Sequence, residues 1–566
     1  MYLKKTKQKN GRIHLDIIDS YYDSEKKATR QITIKSLGYV DELKSLHVDP
    51  ENYYKKIIDK YNSNMKNNSY SISLNFKTNE KMKTSSIYEK NFGFLLFSKI
   101  YHGLEIHKFF NNKQRHRNDS FNANEVFKIL LNGHLISRFD RKSWFLKKTN
   151  FTTNELIEFF HFIEKNKFDL IKWVNKRLQK YYDRGTCYIY ENIASFNFSE
   201  KSSAELEINR KNTFTYDQIR HSDFLSMYLD SHGIPYAYRQ INKYNCHEDN
   251  EVFYEKLSKE LGITKFVVVG DRLDKTKDEL HNEIISHSKL KYVFAIDPQI
   301  ADQEIQDFIH APGSFINFRN SLDYKTMMFP RNITLDNKSN KVILEKQIIL
   351  RIKPLVEADK MKRAALVDKA TYIIKNPSKV TIVDLGNEIK YIKKLSFLPN
   401  GNIDIENSIL ELDTDLIDKS EKYDGIKLII TNDSQNSLSH ILDTYYYQYG
   451  LESVLKHTKS TMQKKSPLFK DEDYINYTAT VHLTTFIGLI LVRILFLSLE
   501  KKYTIKTILS SIAKYNCVLI HKNYYFFTYY DNVLKDIGEK MDLDLSKRIR
   551  TLKEIKHMLA QVKKNE

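Results

Sequence analysis

The stretch TCYIYENIASFNF, residues 186–198, is β-branched and aromatic and reads as a buried strand carrying a catalytic group. Alternate residues of a strand share a face, so Tyr190, Asn192 and Ala194 point one way, and Glu191 and Ile193 the other. Two more strands follow, SDFLSMYLD (222–230) and IPYAYRQI (234–241). Ser231, His232 and Gly233 connect them as closely as an antiparallel hairpin requires. Further along come a helical pattern at NEVFYEKLSKELG (250–262) and the apolar strand KFVVVG (265–270). A helix is expected after Thr276, where Thr276-x-x-Glu279 matches a capping box, and then the strand KYVFAI (291–296).

That order, β-β-β-α-β-α-β, is an antiparallel meander followed by parallel crossovers. It predicts an α/β fold with an RNase H-like core, a mixed five-stranded sheet flanked by helices. Around it the chain divides into an N-terminal β-hairpin module (1–61), a polar linker (62–86) and a helical region (87–180). The first part of the core is 181–299, a β-rich insertion 300–430, the second part of the core 431–500, and a C-terminal helical region 501–566.

With 566 residues the chain is too long for one hydrophobic core. Its net charge of +19 points to a polyanionic partner, nucleic acid first, with biased Lys, Asn, Ile and Tyr usage as the bland alternative. Three cysteines without CxxC spacing argue against a disulfide framework or a zinc ribbon, and fit a reducing cytoplasm. The basic start lacks the apolar run of a signal peptide. LTTFIGLILVRILFLSL (483–499) is interrupted by Arg493 and reads as a buried helix, so no membrane partner is expected. No Gly-rich phosphate loop supports nucleotide hydrolysis. Cys246-His247-Glu248-Asp249 reads as a loop, and His482 as a core histidine.

Three segments offer one site. Asp271 follows the strand 265–270 directly, at the edge where open α/β sheets place ligands. In YYYQYGLESVLKHTK (445–459), Tyr445, Gln448, Glu452 and Lys459 fall within an arc of about 60° on one helix face. Gly450 inside this helix suggests a close backbone approach, since glycine there costs about 1 kcal/mol. The third segment is the opening strand, which presents Asn192 if its centre faces Asp271.

On these residues the chain resembles a DDE insertion-sequence transposase of the IS-four superfamily, in the branch with a β-rich insertion before the catalytic glutamate. The resemblance runs from ITIKSLGYVDELK (32–44) through HGIPYAYRQI (232–241), VVVGDRL (267–273) and EKYDGIKLIITND (421–433) to the glutamate helix and His482. The family's first catalytic aspartate falls on Asn192 and the second on Asp271, followed by Arg272. Its Tyr, Arg, Glu, Lys signature falls on Tyr445, Gln448, Glu452 and Lys459 with the spacing kept. Asn192 and Gln448 depart from the pattern, as does Leu273 where a glycine is usual.

The resemblance implies that Asn192, Asp271 and Glu452 hold two Mg²⁺ ions, with Mn²⁺ as substitute, and carry strand cleavage and transfer. It implies DNA contacts from Arg272, Tyr445, Gln448 and Lys459. The partners would be double-stranded DNA, as inverted-repeat element ends and target, bound by a homodimer in the bacterial cytoplasm and nucleoid. An asparagine cannot bridge two cations as a carboxylate does, so impaired chemistry is expected. The alternatives are an inactive, transposase-derived DNA-binding protein, an active enzyme that recruits Glu191 or Asp183, and an RNase H-fold nuclease. QRHRND (114–119) and SKRIRTLKEIKHMLAQVKK (546–564) are candidate DNA-contacting or dimer-forming elements.

Overall fold

The structure is a computed structural model. It describes the chain apart from residues 9–10, 24–27, 67–88, 137–150, 198–221, 242–249, 335–339, 383–384, 460–470 and 564–566, and the single positions 274, 288, 314, 320 and 522. Cys246 to Asp249 and most of the expected linker lie outside the described residues. The protein is mixed α/β and divides into two compact units, one of Met1–Ile163 with Ile490–Glu566, the other Glu164–Leu489.

In the first unit, β1 (Tyr2–Lys7), β2 (Ile13–Asp23) and β3 (Ala28–Tyr39) form an antiparallel sheet followed by α1 (Val40–Leu43) and α2 (Pro50–Lys66). The expected hairpin is therefore a three-stranded meander. Next come β4 (Glu89–Asn91) and helices α3 (Phe94–Gly103), α4 (Ile106–Gln114), α5 (Ala123–Ile136) and the start of α6 (Thr153–Leu178).

The second unit is built on one nine-stranded sheet. Its strands are β5 (Thr186–Asn197), β6 (Ser222–Leu229), β7 (Pro235–Ile241), β8 (Lys265–Arg272), β9 (Lys291–Ile296), β10 (Ile316–Arg319), β11 (Leu322–Thr334), β12 (Asn340–Ile352) and β15 (Ile426–Thr431). Across the sheet the order is β10-β11-β12-β15-β9-β8-β5-β6-β7. β5, β8 and β9 are parallel, and their neighbours run antiparallel. The crossovers carry α7 (Asn250–Leu261) and α8 (Lys277–Ser286), the latter starting on the expected capping box: Thr276 Oγ1 accepts from the Glu279 N–H, and Glu279 Oε2 from that of Thr276.

The β6–β7 hairpin is fixed by a buried ion pair. Asp230 accepts from the N–H groups of His232 and Ile234 with one oxygen and from Arg184 Nε, 2.7 Å away, with the other. Arg184 also donates to Asn175 and to the carbonyls of Ile234 and Pro235, so the buried guanidinium is well satisfied.

The sheet is wider than the five strands expected because strands of segment 300–430 join it. The segment's long β11–β12 hairpin joins the sheet through β15, and α10 (Lys353–Lys375), which follows α9 (Gln303–His310), leads to the small β13 (Ile392–Lys394) and β14 (Ile409–Leu412) pair. After α11 (Thr414–Glu421) and β15, the chain enters α12 (Leu438–Lys459) and α13 (Asp471–Ser498). The stretch Ile475–Ser498 is long and apolar enough to cross a membrane but is mostly buried within the protein, as expected of a core helix.

The chain's last part returns to the first unit with α14 (Ile505–Lys514), β16 (Asn516–His521), β17 (Tyr524–Phe527), α15 (Asn532–Lys540), β18 (Ile549–Thr551) and α16 (Leu552–Lys563). It was expected to be helical. Instead NCVLIH and YYFF, short and rich in β-branched and aromatic residues, join β18 and β4 in a four-stranded sheet. An edge supplied from more than 400 positions away cannot be read locally.

Candidate functional site

β5 and β8 pair in parallel up to Tyr190↔Val269, and two residues further on stand Asn192 and Asp271. On its other side β5 pairs Tyr190 with Met227 and Ala194 with Leu225, so it advances four residues while β6 advances two. The surplus is a bulge over Glu191–Ile193, the kind of irregularity that re-aims side chains beside active sites. The side chains of Asn192 and Lys459 lie outside the described residues.

α12 packs on the Asp271 face. Tyr190 Oη donates to the Thr444 carbonyl at 2.8 Å, and Tyr188 Oη lies 2.7 Å from His440 Nε2. Asp271 is then engaged three times from this helix. Tyr445 Oη donates to Oδ1, Gln448 Nε2 to Oδ1 at 3.4 Å, and Tyr449 Oη to Oδ2 at 3.1 Å. The two phenols are 3.0 Å apart. Glu452, one turn beyond Gln448, continues the same stripe and is partly exposed. Burial, and then the Asp271 charge, push the Tyr445 phenol well above its usual range, so it stays a donor at any ordinary pH.

Tyr445 and Gln448, expected at DNA, are thus turned inward onto Asp271. Gly450 does not mark the close approach expected of it. It is exposed, and a methyl there would meet nothing within 4 Å among the described residues, so no close approach demands it. Lys427, on β15, was missed: its Nζ sits 4.7 Å from the Tyr445 ring centroid and 3.4 Å from Tyr449 Oη. It brings a cation to the rim of this cluster, and its only sequence signal was a lysine in an apolar strand.

The opposite face of the same two strands is also charged. Arg272 is buried, with Nη2 3.1 Å from Glu191, Nε 2.5 Å from Glu283 and the guanidinium 4.5 Å above the Phe294 ring. Lys275 also pairs with Glu283. A methyl on Gly270 would come about 2.5 Å from Arg272 Nη1, so the glycine makes room for this side chain. Arg272 was expected at DNA; here it ties β5, β8 and α8 together.

Among the described residues, Glu191, Glu283 and His287 offer ligand atoms within 4.8 Å of one another and could hold a metal ion. Burial lowers the His287 pKa, the direction that favours the neutral imidazole a metal ligand needs. Burial opposes ionisation of Glu283, but Arg272 and Lys275 outweigh it and hold the carboxyl below its usual range. An ion here would have to displace both cations.

Two acids suggested as replacements for Asn192 are badly placed. Glu191 faces Arg272, away from Asp271. Asp183 precedes β5, whose first residue registers with Lys265, the start of β8, so it lies at the opposite edge of the sheet. His482 is buried, its ring beside Tyr238 and its pKa lowered to about 3 by burial, as a core histidine.

Leu273, just past the site, lines a cleft of about 250 Å³ with Asp297, Lys362, Arg363 and Lys390. Neither the protein-family models nor the curated proteins compared with this chain include a match.

Proposed function

We propose that this chain is a DDE-type transposase built on an RNase H-like core, binding DNA ends through its positive charge and poorly active because Asn192 stands at the first acidic position. The observation that carries the reading is the meeting of Asp271 with Tyr445 and Gln448 on the helix bearing Glu452. The strand order β7-β6-β5-β8-β9, with β5, β8 and β9 parallel, supports the core assignment. Asp271 and Glu452 would hold the Mg²⁺ ions, Asn192 contributing at most a neutral oxygen; bound, the ions would activate the attacking oxygen and stabilise the leaving one. To hold an ion, Asp271 would have to give up the hydrogen bonds it now accepts from Tyr445, Gln448 and Tyr449.

The second reading, a DNA-binding protein without cleavage, is favoured by Asn192 itself. Both readings require phosphate-dominated binding. The logarithm of duplex affinity is expected to fall steeply with the logarithm of salt, by about 0.9 for each phosphate neutralised. Fluorescence anisotropy between 50 and 200 mM salt checks this, and an affinity that hardly changes over that range overturns the nucleic-acid reading.

A further inference from the structure

In the unit formed by the two ends of the chain, His102 on α3, His107 on α4, Lys128 on α5 and Lys563 on α16 converge. His102 Nδ1 and His107 Nδ1 are 3.1 Å apart, and Lys128 Nζ is 3.3 Å from His102 Nε2. An ammonium has only protons to give, so His102 Nε2 accepts and the His102 proton sits on Nδ1. That proton is donated to His107 Nδ1, which leaves His107 its own proton on Nε2, on a partly exposed ring.

The neighbours make the cluster electropositive. Lys563 repels protons on His102, His107 and Lys128, and Lys108 adds to this at His107. The acids are Glu125, facing Lys128, and Glu105, which is bonded to Lys108 at 2.6 Å. Burial first, then these cations, take His102 to about 3 and Lys128 to about 8. A metal ion is disfavoured beside two lysines. An anion would relieve the repulsion, and it would find two ammonium groups and the His107 Nε2–H as donors.

We propose that His102, His107, Lys128 and Lys563 form a phosphate-binding cluster that grips one backbone phosphate of bound DNA. It rests on the nucleic-acid reading above and adds to it a contact far in sequence from Asp271. His102 does not touch the phosphate; it positions His107 and Lys128. Because Lys128 must be charged, the cluster's contribution is present below about pH 8 and fades as pH rises through that value.

The test is duplex binding by the full chain against salt, at pH 6.5 and 9, for wild type, Lys563→Gln, Lys128→Gln and the double variant. Lys563 is exposed at a helix end, so its replacement leaves the fold intact. At pH 6.5 each single variant should lower the slope by up to about 0.9, and the double variant by no more than about that, because both lysines serve one phosphate. At pH 9 wild type and Lys128→Gln should converge. Slopes that match wild type in all three variants, with wild type binding DNA, overturn the cluster alone, whereas wild type that binds no duplex overturns the nucleic-acid reading with it. Variants with wild-type slopes that lose only a shift of the His107 ring resonances on adding inorganic phosphate would mark a site for free phosphate instead, and also overturn the proposal.

Discussion

Asn192→Asp is expected to cleave DNA ~10²–10⁴-fold faster than wild type, each tenfold corresponding to ~1.4 kcal/mol of transition-state stabilisation. The substitution exchanges an amide for a carboxylate of nearly the same volume, so packing in β5 is preserved. It puts an anionic residue at a position two residues past the Tyr190↔Val269 pair, as Asp271 is on the adjacent parallel strand. Mg²⁺ needs hard, mostly anionic oxygens, and a carboxylate at position 192 would help Asp271 and Glu452 to hold it. The comparison is strand cleavage by wild type, Asn192→Asp and Asp271→Ala with Mg²⁺ or Mn²⁺, on duplexes copied from the DNA flanking the coding sequence. Asp271→Ala should abolish whatever activity Asn192→Asp shows. Wild type cleaving as fast as Asn192→Asp would mean that another acid fills the position. Glu191 is a poor candidate, being committed to Arg272 on the other face.

Arg272→Met should destabilise the fold by about 3–5 kcal/mol, because it leaves Glu191 and Glu283 in a largely buried setting without their guanidinium. Lys275 remains for Glu283, so adding Glu283→Gln should recover only part of the loss. Urea unfolding followed by circular dichroism gives the comparison, and Arg272→Met within about 1 kcal/mol of wild type would show that the network is a solvated surface cluster. Arg272→Met should also disturb the Asp271 backbone, since Nη1 donates to the Asp271 carbonyl at 3.0 Å.

Strand parity carried much of what could be read without the fold. Placing Tyr190 on one face and Glu191 on the other agrees with Tyr190 meeting α12 while Glu191 meets Arg272. The helical stripe likewise put Tyr445 and Gln448 on one side, where both reach Asp271. Parity did not say which polar groups would satisfy one another. Arg272 looked like a DNA contact because its partner Glu283 sits on a separate helix, although a glycine two positions earlier hinted at a side chain folded back on the strand. Tyr449 and Lys427 escaped notice because only the docking of α12 on the sheet brings them together beside Asp271. The His102–His107–Lys128 contact joins three helices whose individual histidines and lysine look ordinary in sequence.

The central claim is that Asp271 and Glu452 close on one pair of metal ions, and anomalous scattering from Mn²⁺-soaked crystals of Asn192→Asp tests it most directly. The expected result is two manganese peaks about 3.5–4 Å apart between positions 192, 271 and 452. A manganese ion bound instead among Glu191, Glu283 and His287, with none at Asp271, would contradict the account.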